Sequence, residues 1–216
     1  MKLAAQTLLL DVTRDFPEQA PEIDRLDGAL LTHGHRDASG GLPALRGWWR
    51  ERSREPLPVY AERETIAAVR HRAKRLDHCR FVTVAAGQRR RVGGWTISPV
   101  TVPHARERRF PTFAWRLTAA GRTLVYASDV ARLTPELERF ARGADLLVID
   151  GAMWRRRIFT HLTIDAALPT LCGWQVDRIA LTQIGKTAPP HEQFRRAVSG
   201  ICERATPAYD GMGIDL

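Results

Sequence analysis

Apolar and polar positions alternate along the 216 residues in short blocks, and the blocks change period repeatedly. Runs rich in aliphatic and β-branched residues predict strands over 7–12, 29–32, 58–61, 80–84 and 95–102, because such side chains suit a half-buried pleated surface. Residues 113–127 read as a hairpin, with "TAAGR" at its turn and "TLVYAS" returning. Later strands are expected over 146–150, 178–182 and 213–216. Between them, helical spacing predicts helices over 42–52, 62–73, 135–141, 164–172 and 190–203. The third has Thr134 as N-cap, Pro135 at its first position and Gly143 just past its end. The last carries Phe194, Ala197, Val198 and Ile201 at helical spacing behind Pro189 and Pro190. "RRR" at 89–91 leads into Gly93 and Gly94 and reads as turn surface. The early strands look like a mostly antiparallel set. With helices at intervals, the pattern fits helices packed outside two sheets, a layered α/β sandwich formed by one domain over 1–216.

Composition narrows the class. Hydrophobic residues at 44% and charged residues at 26% are ordinary for a soluble globular protein. No apolar run is long enough to span a bilayer, and the first residues lack a signal-peptide pattern, so no membrane partner is expected. Cys79, Cys172 and Cys202 are odd in number and far apart, with no CxxC pair and no evident disulfide framework, which points to a reducing cytoplasm. The net charge of +9 favours anionic partners. Lysine occurs only at Lys2, Lys74 and Lys186, however, and an arginine bias of this kind also follows from a GC-rich genome. Zinc-finger spacing, basic-region heptads and RNA-recognition aromatics are all missing, so charge alone does not establish a nucleic-acid partner.

Chemistry concentrates at strand ends. In "THGHRD", His33, His35 and Asp37 alternate, so an extended chain would turn all three to one side just beyond a strand. Two imidazoles and a carboxylate suit zinc, manganese or iron. His104 closes "TISPVTVPH", Asp129 closes "TLVYASD", Gln183 closes "RIALTQ", and His161 lies in "FTHLT" just before a helix. Each of these alone would be an ordinary surface or core residue. Their recurrence at strand ends, which meet along one edge of a layered sheet, favours a shared site.

Taken in order, "LLTHGHRDASGGL", "VPH", "YASDV", "RIALTQIG" and "AYDGMGI" resemble the metallo-β-lactamase fold. The resemblance runs from Thr7 onward. It is to the phosphodiesterase branch, with the cyclic phosphodiesterases of phosphonate metabolism and the tRNA 3′-processing endonucleases. It implies a four-layer αββα sandwich, here N-terminally shortened because the chain opens almost directly at "TLLLD". A shortened sheet leaves an edge that another subunit could cover, giving a homo-oligomer. By the same resemblance His33, His35 and His104 match the histidines of a first metal site. Asp129 matches the aspartate that bridges two metals, and Asp37 a second-site aspartate that also orients the attacking water. His161 matches the histidine that contacts phosphate and protonates the leaving group.

Two departures fall on the second site. The pattern HxHxDH has become HxHxDA, with Ala38 at the missing ligand, and a late histidine has become Gln183. Alanine cannot ligate, and a glutamine oxygen is at best a weak ligand. One divalent metal, zinc or manganese, is therefore expected, with a second ion weak or absent. His191 reads as an ordinary helix start. Arginines flank the candidate histidines: Arg106, Arg108 and Arg109 follow His104, and Arg155 to Arg157 precede His161. Arg106, Arg109 and Arg157 are candidates to bind substrate phosphate, weighed evenly against solvated surface arginine. Trp95, Trp115 and Trp174 read as core, and Trp154 as core or pocket wall.

The expectation is a metal-dependent hydrolase, a phosphodiesterase acting on a small cyclic or diester phosphate through a metal-activated water. Its rivals are a carboxylic ester or lactone hydrolase, a nuclease, and a non-catalytic metal- or ligand-binding protein that keeps the fold. The endonucleases' tRNA-binding arm has no counterpart here, which disfavours tRNA processing.

Overall fold

The computed structural model describes residues 2–3, 6–104 and 111–216. Its contacts fall into two compact units, Met1–Pro99 with Glu107–Phe113, and Val100–Arg106 with Ala114–Leu216.

In the first unit, five strands hydrogen-bond in chain order: β1 (Lys2–Leu3), β2 (Gln6–Leu10), β3 (Gly28–Leu30), β4 (Leu57–Ala61) and β5 (Cys79–Thr83). Only β1 and β2 pair antiparallel; β2 to β5 are parallel throughout. This corrects the antiparallel expectation, and the connections explain it. A parallel neighbour needs a crossover long enough to bring the chain back to the same end. Those crossovers hold α1 (Phe16–Gln19) with a 3-10 turn (Ala20–Glu22), then α2 (Arg36–Ser39) and α3 (Leu42–Arg50), then α4 (Arg63–Arg72). The short helices α1 and α2 carry too few apolar positions to show a period. In α3, Leu42 and Leu45 are buried one turn apart while Arg46 and Arg50 face outward to Asp77. The N-cap of α4 is Glu62, whose carboxylate accepts from the Glu64 and Thr65 amides. The core of this unit is built on Phe16, Leu31, Leu42, Leu45, Val59 and Val69.

β6 (Arg90–Val92) pairs antiparallel with the start of β7 (Trp95–Val102), Val92 opposite Trp95. The "RRR" run is therefore largely strand rather than turn. The "GG" pair predicted the turn correctly, but charge masked the strand before it.

The second unit continues with β8 (Thr112–Ala119), β9 (Arg122–Ala127), α5 (Pro135–Ala141), β10 (Ala144–Asp150), α6 (Ile164–Cys172), β11 (Val176–Thr182), α7 (His191–Ile201) and β12 (Ala205–Pro207). Its sheet order is β12-β11-β10-β9-β8, antiparallel across β8–β9 as the hairpin predicted and parallel from β9 to β12. Again a helix fills each parallel crossover. Thr134 caps α5 as expected, accepting the Leu137 amide at 3.2 Å. In α6, Ile164, Ala167, Leu168 and Leu171 are buried at positions that share one helix face. They pack with Leu147, Ile179, Leu181, Phe194 and Val198. Trp115 and Trp174 are core, as is Trp95 in the first unit. The last strand is β12, not 213–216, because Ile179 and Leu181 of β11 pair with Ala205 and Pro207.

Cysteine usage also differs from expectation. Cys172 ends α6 and Cys202 caps the C-terminus of α7, and the two form a disulfide with Cα atoms 5.5 Å apart. Their separation of 30 residues is set by the intervening β11 and α7, so spacing could not reveal the pair. The pairing removes cysteine usage as an argument for a reducing compartment. Among the described residues, no helix is long and apolar enough to cross a membrane.

Candidate functional site

In the first unit the site begins with backbone strain. Asp11, just past β2, sits at φ +61°, a left-handed conformation uncommon outside glycine. Its amide donates to Leu30 O, and its carboxylate accepts the Thr32 amide at 2.7 Å and the Thr32 hydroxyl at 3.0 Å. A hydroxyl has one proton. Because a carboxylate only accepts, Thr32 spends that proton on Asp11, and its oxygen must accept from His33 Nδ1 at 2.9 Å. The relay fixes the His33 tautomer, leaving the lone pair of the neutral ring on Nε2. That nitrogen lies 3.7 Å from Asp37 Oδ1. His35 meets the His33 ring edge to face, with centroids 4.7 Å apart.

The rings of His33 and His35 lie side by side just beyond β3. Asp37 instead belongs to α2 and reaches His33 by a helical turn. The loop is fixed from two sides. Ser39 donates from both amide and hydroxyl to His35 O, and Arg72 of α4 donates to Gly34 O and Ser39 Oγ. Burial, then Arg36, pushes the Arg72 pKa down, against the pull of Asp37. Gly41 allows the chain to pass under the β2 connection, since a Cβ there would lie 1.8 Å from Thr13 O. Ala38 is buried.

In the second unit, His104 donates from Nδ1 to Thr160 O at 2.9 Å, which puts the neutral ring's lone pair on Nε2. Nε2 is 3.8 Å from Asp129 Oδ1. Asp129 lies two residues beyond β9 and is 1% exposed. Its Oδ2 accepts from Ser128 Oγ at 2.6 Å and from Gln183 Nε2 at 2.9 Å, whereas Oδ1 has no hydrogen-bond partner among the described residues. His161 donates from Nδ1 to Asp150 Oδ2 at 2.7 Å. Asp150 ends β10 and also accepts the Val130 and Ala152 amides at 2.9 Å. Burial pushes its carboxyl pKa up, opposed by the His161 contact and these two amides. The His104 and His161 rings lie 5.2 Å apart, and one ligand atom each from His104, Asp129 and His161 falls within 4.8 Å of the others.

Gln183 thus meets Asp129 through its nitrogen, not through an oxygen able to ligate. Arg106 and Arg109 lie outside the described residues. Arg157 is exposed. Trp154 is buried against Phe194, with centroids 5.0 Å apart, which settles it as core. His191 starts α7 and meets the Tyr209 ring edge to face, with centroids 5.5 Å apart. Asp11, Thr32, Ser128 and Asp150 escaped the sequence reading. Asp11 and Asp150 carried the signal that marked Asp129, an aspartate closing a run of aliphatic residues.

The family model of a β-lactamase superfamily domain matches residues 4–184. The chain belongs to the metallo-β-lactamase superfamily. Within it, a diphosphatase of the PhnP family superposes with a TM-score of 0.85 at 25% identity, over 98% of this chain and 80% of that one. Zn(2+)-bound PqqB from Methylobacterium extorquens gives 0.81 at 21% identity, over 97% and 83%. A Porphyromonas gingivalis protein named octanoyltransferase is 27% identical over 203 residues, 88% of this chain. The chain spans only 39% of the length of that relative. The two sheets with interleaved helices are those of the metallo-β-lactamase fold, as the ordered motifs implied.

Proposed function

We infer that this superfamily member is a metal-dependent hydrolase, and that its substrate is a diester or cyclic phosphate of a small anionic molecule. The observation that carries the reading is the arrangement around Asp129. A buried carboxylate oxygen without a hydrogen bond among the described residues faces the lone pair of His104 Nε2 at 3.8 Å. Two facing lone pairs repel unless a cation lies between them, so this donor set fits a divalent metal. The family resemblance adds His33 and His35, making His33, His35, His104 and Asp129 the proposed ligands. Three imidazoles and a carboxylate favour zinc. The bound ion would supply Lewis acidity and lower the pKa of a bound water.

The remaining chemistry belongs to this chain's own side chains. Asp37, half exposed on α2, orients the attacking water and accepts its proton. His161 delivers a proton from Nε2 to the leaving oxygen, while Asp150 holds Nδ1–H and thereby the ring orientation. Arg157, with Arg106 and Arg109, would meet the phosphate oxygens, in keeping with the net charge of +9.

The test is turnover of a bis(aryl) phosphate and of a lactone by the purified, zinc-loaded protein. Diester turnover falling by about 100-fold or more in both Asp37→Ala and His161→Ala is expected. Unchanged turnover in both variants refutes the assigned roles. Lactone hydrolysis without diester hydrolysis moves the substrate to a carboxylic ester, and no turnover of either leaves a binding protein.

A further inference from the structure

We propose that the Gln183 amide replaces a second metal ion: with the Ser128 hydroxyl it neutralises Asp129 Oδ2 and limits the centre to one ion. The proposal rests on the metal-dependent reading above, and Ser128 and Gln183, which donate to Asp129 Oδ2, lie with it in the second unit.

Asp129 treats its two oxygens differently. Oδ2 accepts two hydrogen bonds, from Ser128 at 2.6 Å and Gln183 at 2.9 Å, while Oδ1 accepts none among the described residues and faces His104. A carboxylate that bridges two ions through both of its oxygens presents one to each ion, and an oxygen already holding two hydrogen bonds has little lone-pair density left for an ion. Here two polarised X–H groups supply the partial positive charge on one side. The orientation of the amide is not arbitrary. Oδ2 can only accept, so Gln183 must present its NH2 and not its carbonyl oxygen to Asp129. Gln183 holds this position at φ +60°, immediately after β11, in a conformation uncommon for a side-chain-bearing residue. That cost is consistent with a requirement on where its amide points. Ala38 removes another donor at the position that the family resemblance assigns to the same ion. Losing the donors while satisfying the orphaned carboxylate oxygen is a complete substitution, not partial decay.

The experiment is metal content per chain by elemental analysis after zinc loading and gel filtration, on wild type, the double variant Ala38→His/Gln183→His, and Gln183→Glu. Gln183→Glu keeps the side-chain length, removes the NH2 donor and adds a ligand oxygen, so it serves if the double variant does not fold. The expected result is about one equivalent in wild type and about two in either folded variant, with second-ion affinity raised about tenfold or more. About two equivalents in wild type overturns this proposal alone. About one in every chain also overturns it, because restored donors should recruit an ion once the amide is gone. About zero in wild type refutes the metal-dependent reading on which it stands.

Discussion

Thr32→Val is the sharpest test of how the first unit holds its histidine. Valine matches threonine in shape, so the change removes one hydroxyl and little else. The buried hydroxyl donates to the Asp11 carboxylate and accepts from His33 Nδ1. A hydrogen bond to a charged group contributes ~1.5–3 kcal/mol, and removing the acceptor of a buried N–H costs ~1–3 kcal/mol. The added methyl group returns ~0.8 kcal/mol through burial. The net loss is about 3 kcal/mol, which for a chain of this size lowers the unfolding midpoint by roughly 6–12 °C. Zinc affinity should fall ~10–100-fold as well, because the ring loses the partner that sets its tautomer. Thr32→Ser keeps the hydroxyl and should retain most of both. Thermal unfolding of the apo protein and competition with a zinc chelator read the two effects separately. If valine costs under ~0.5 kcal/mol and leaves zinc affinity intact, the relay from Asp11 through Thr32 to His33 has no role.

Three further outcomes follow from groups away from the candidate site. Reducing Cys172–Cys202, which closes a loop spanning 30 residues, should destabilise the fold by roughly 3.5 kcal/mol on the loop-entropy estimate; a melting curve unmoved by reductant argues against the bond. Burial pushes the Cys79 thiol up to about 12, so a thiol reagent at pH 8 should label the native, unreduced protein hardly at all. Rapid labelling of Cys79 would contradict that environment. Burial lowers the His78 pKa while Nε2–H donates to Leu42 O. A histidine held neutral when folded binds more protons unfolded, so stability is lost as pH falls through about 6.5 toward the lowered folded value. His78→Gln should therefore show a smaller drop in melting temperature between pH 7.5 and 5.5 than wild type, and an equal drop would refute the assignment.

Strong periodicity made α5, α6, α7 and the β8–β9 hairpin legible in the sequence. Parallel pairing was not legible, because strand direction depends on what the connections do in space. The short α1 and α2 carry no readable period at all. At the site, ligand-type residues stood out because histidine and aspartate are conspicuous at strand ends. Thr32 and Ser128 did not, since a hydroxyl acquires a role only through the neighbour it touches. Gln183 stands out in the sequence as a departure, yet its meaning lies in which end of the amide faces Asp129. Sequence cannot show that.

The parallel register of β9, β10 and β11 has a consequence for how such a centre can change. Ala127 lies beside Ile149, and Asp150 beside Thr182, so these strands run out together. Asp129, Asp150 and Gln183 lie at or just past that common edge, on neighbouring strands separated by the usual repeat of ~4.8 Å. Each lies at the end of a different strand, Asp150 as the last residue of β10 and Asp129 and Gln183 just beyond β9 and β11. A single codon at one of these ends can therefore change which groups surround Asp129, while every residue of the apolar interior stays as it was.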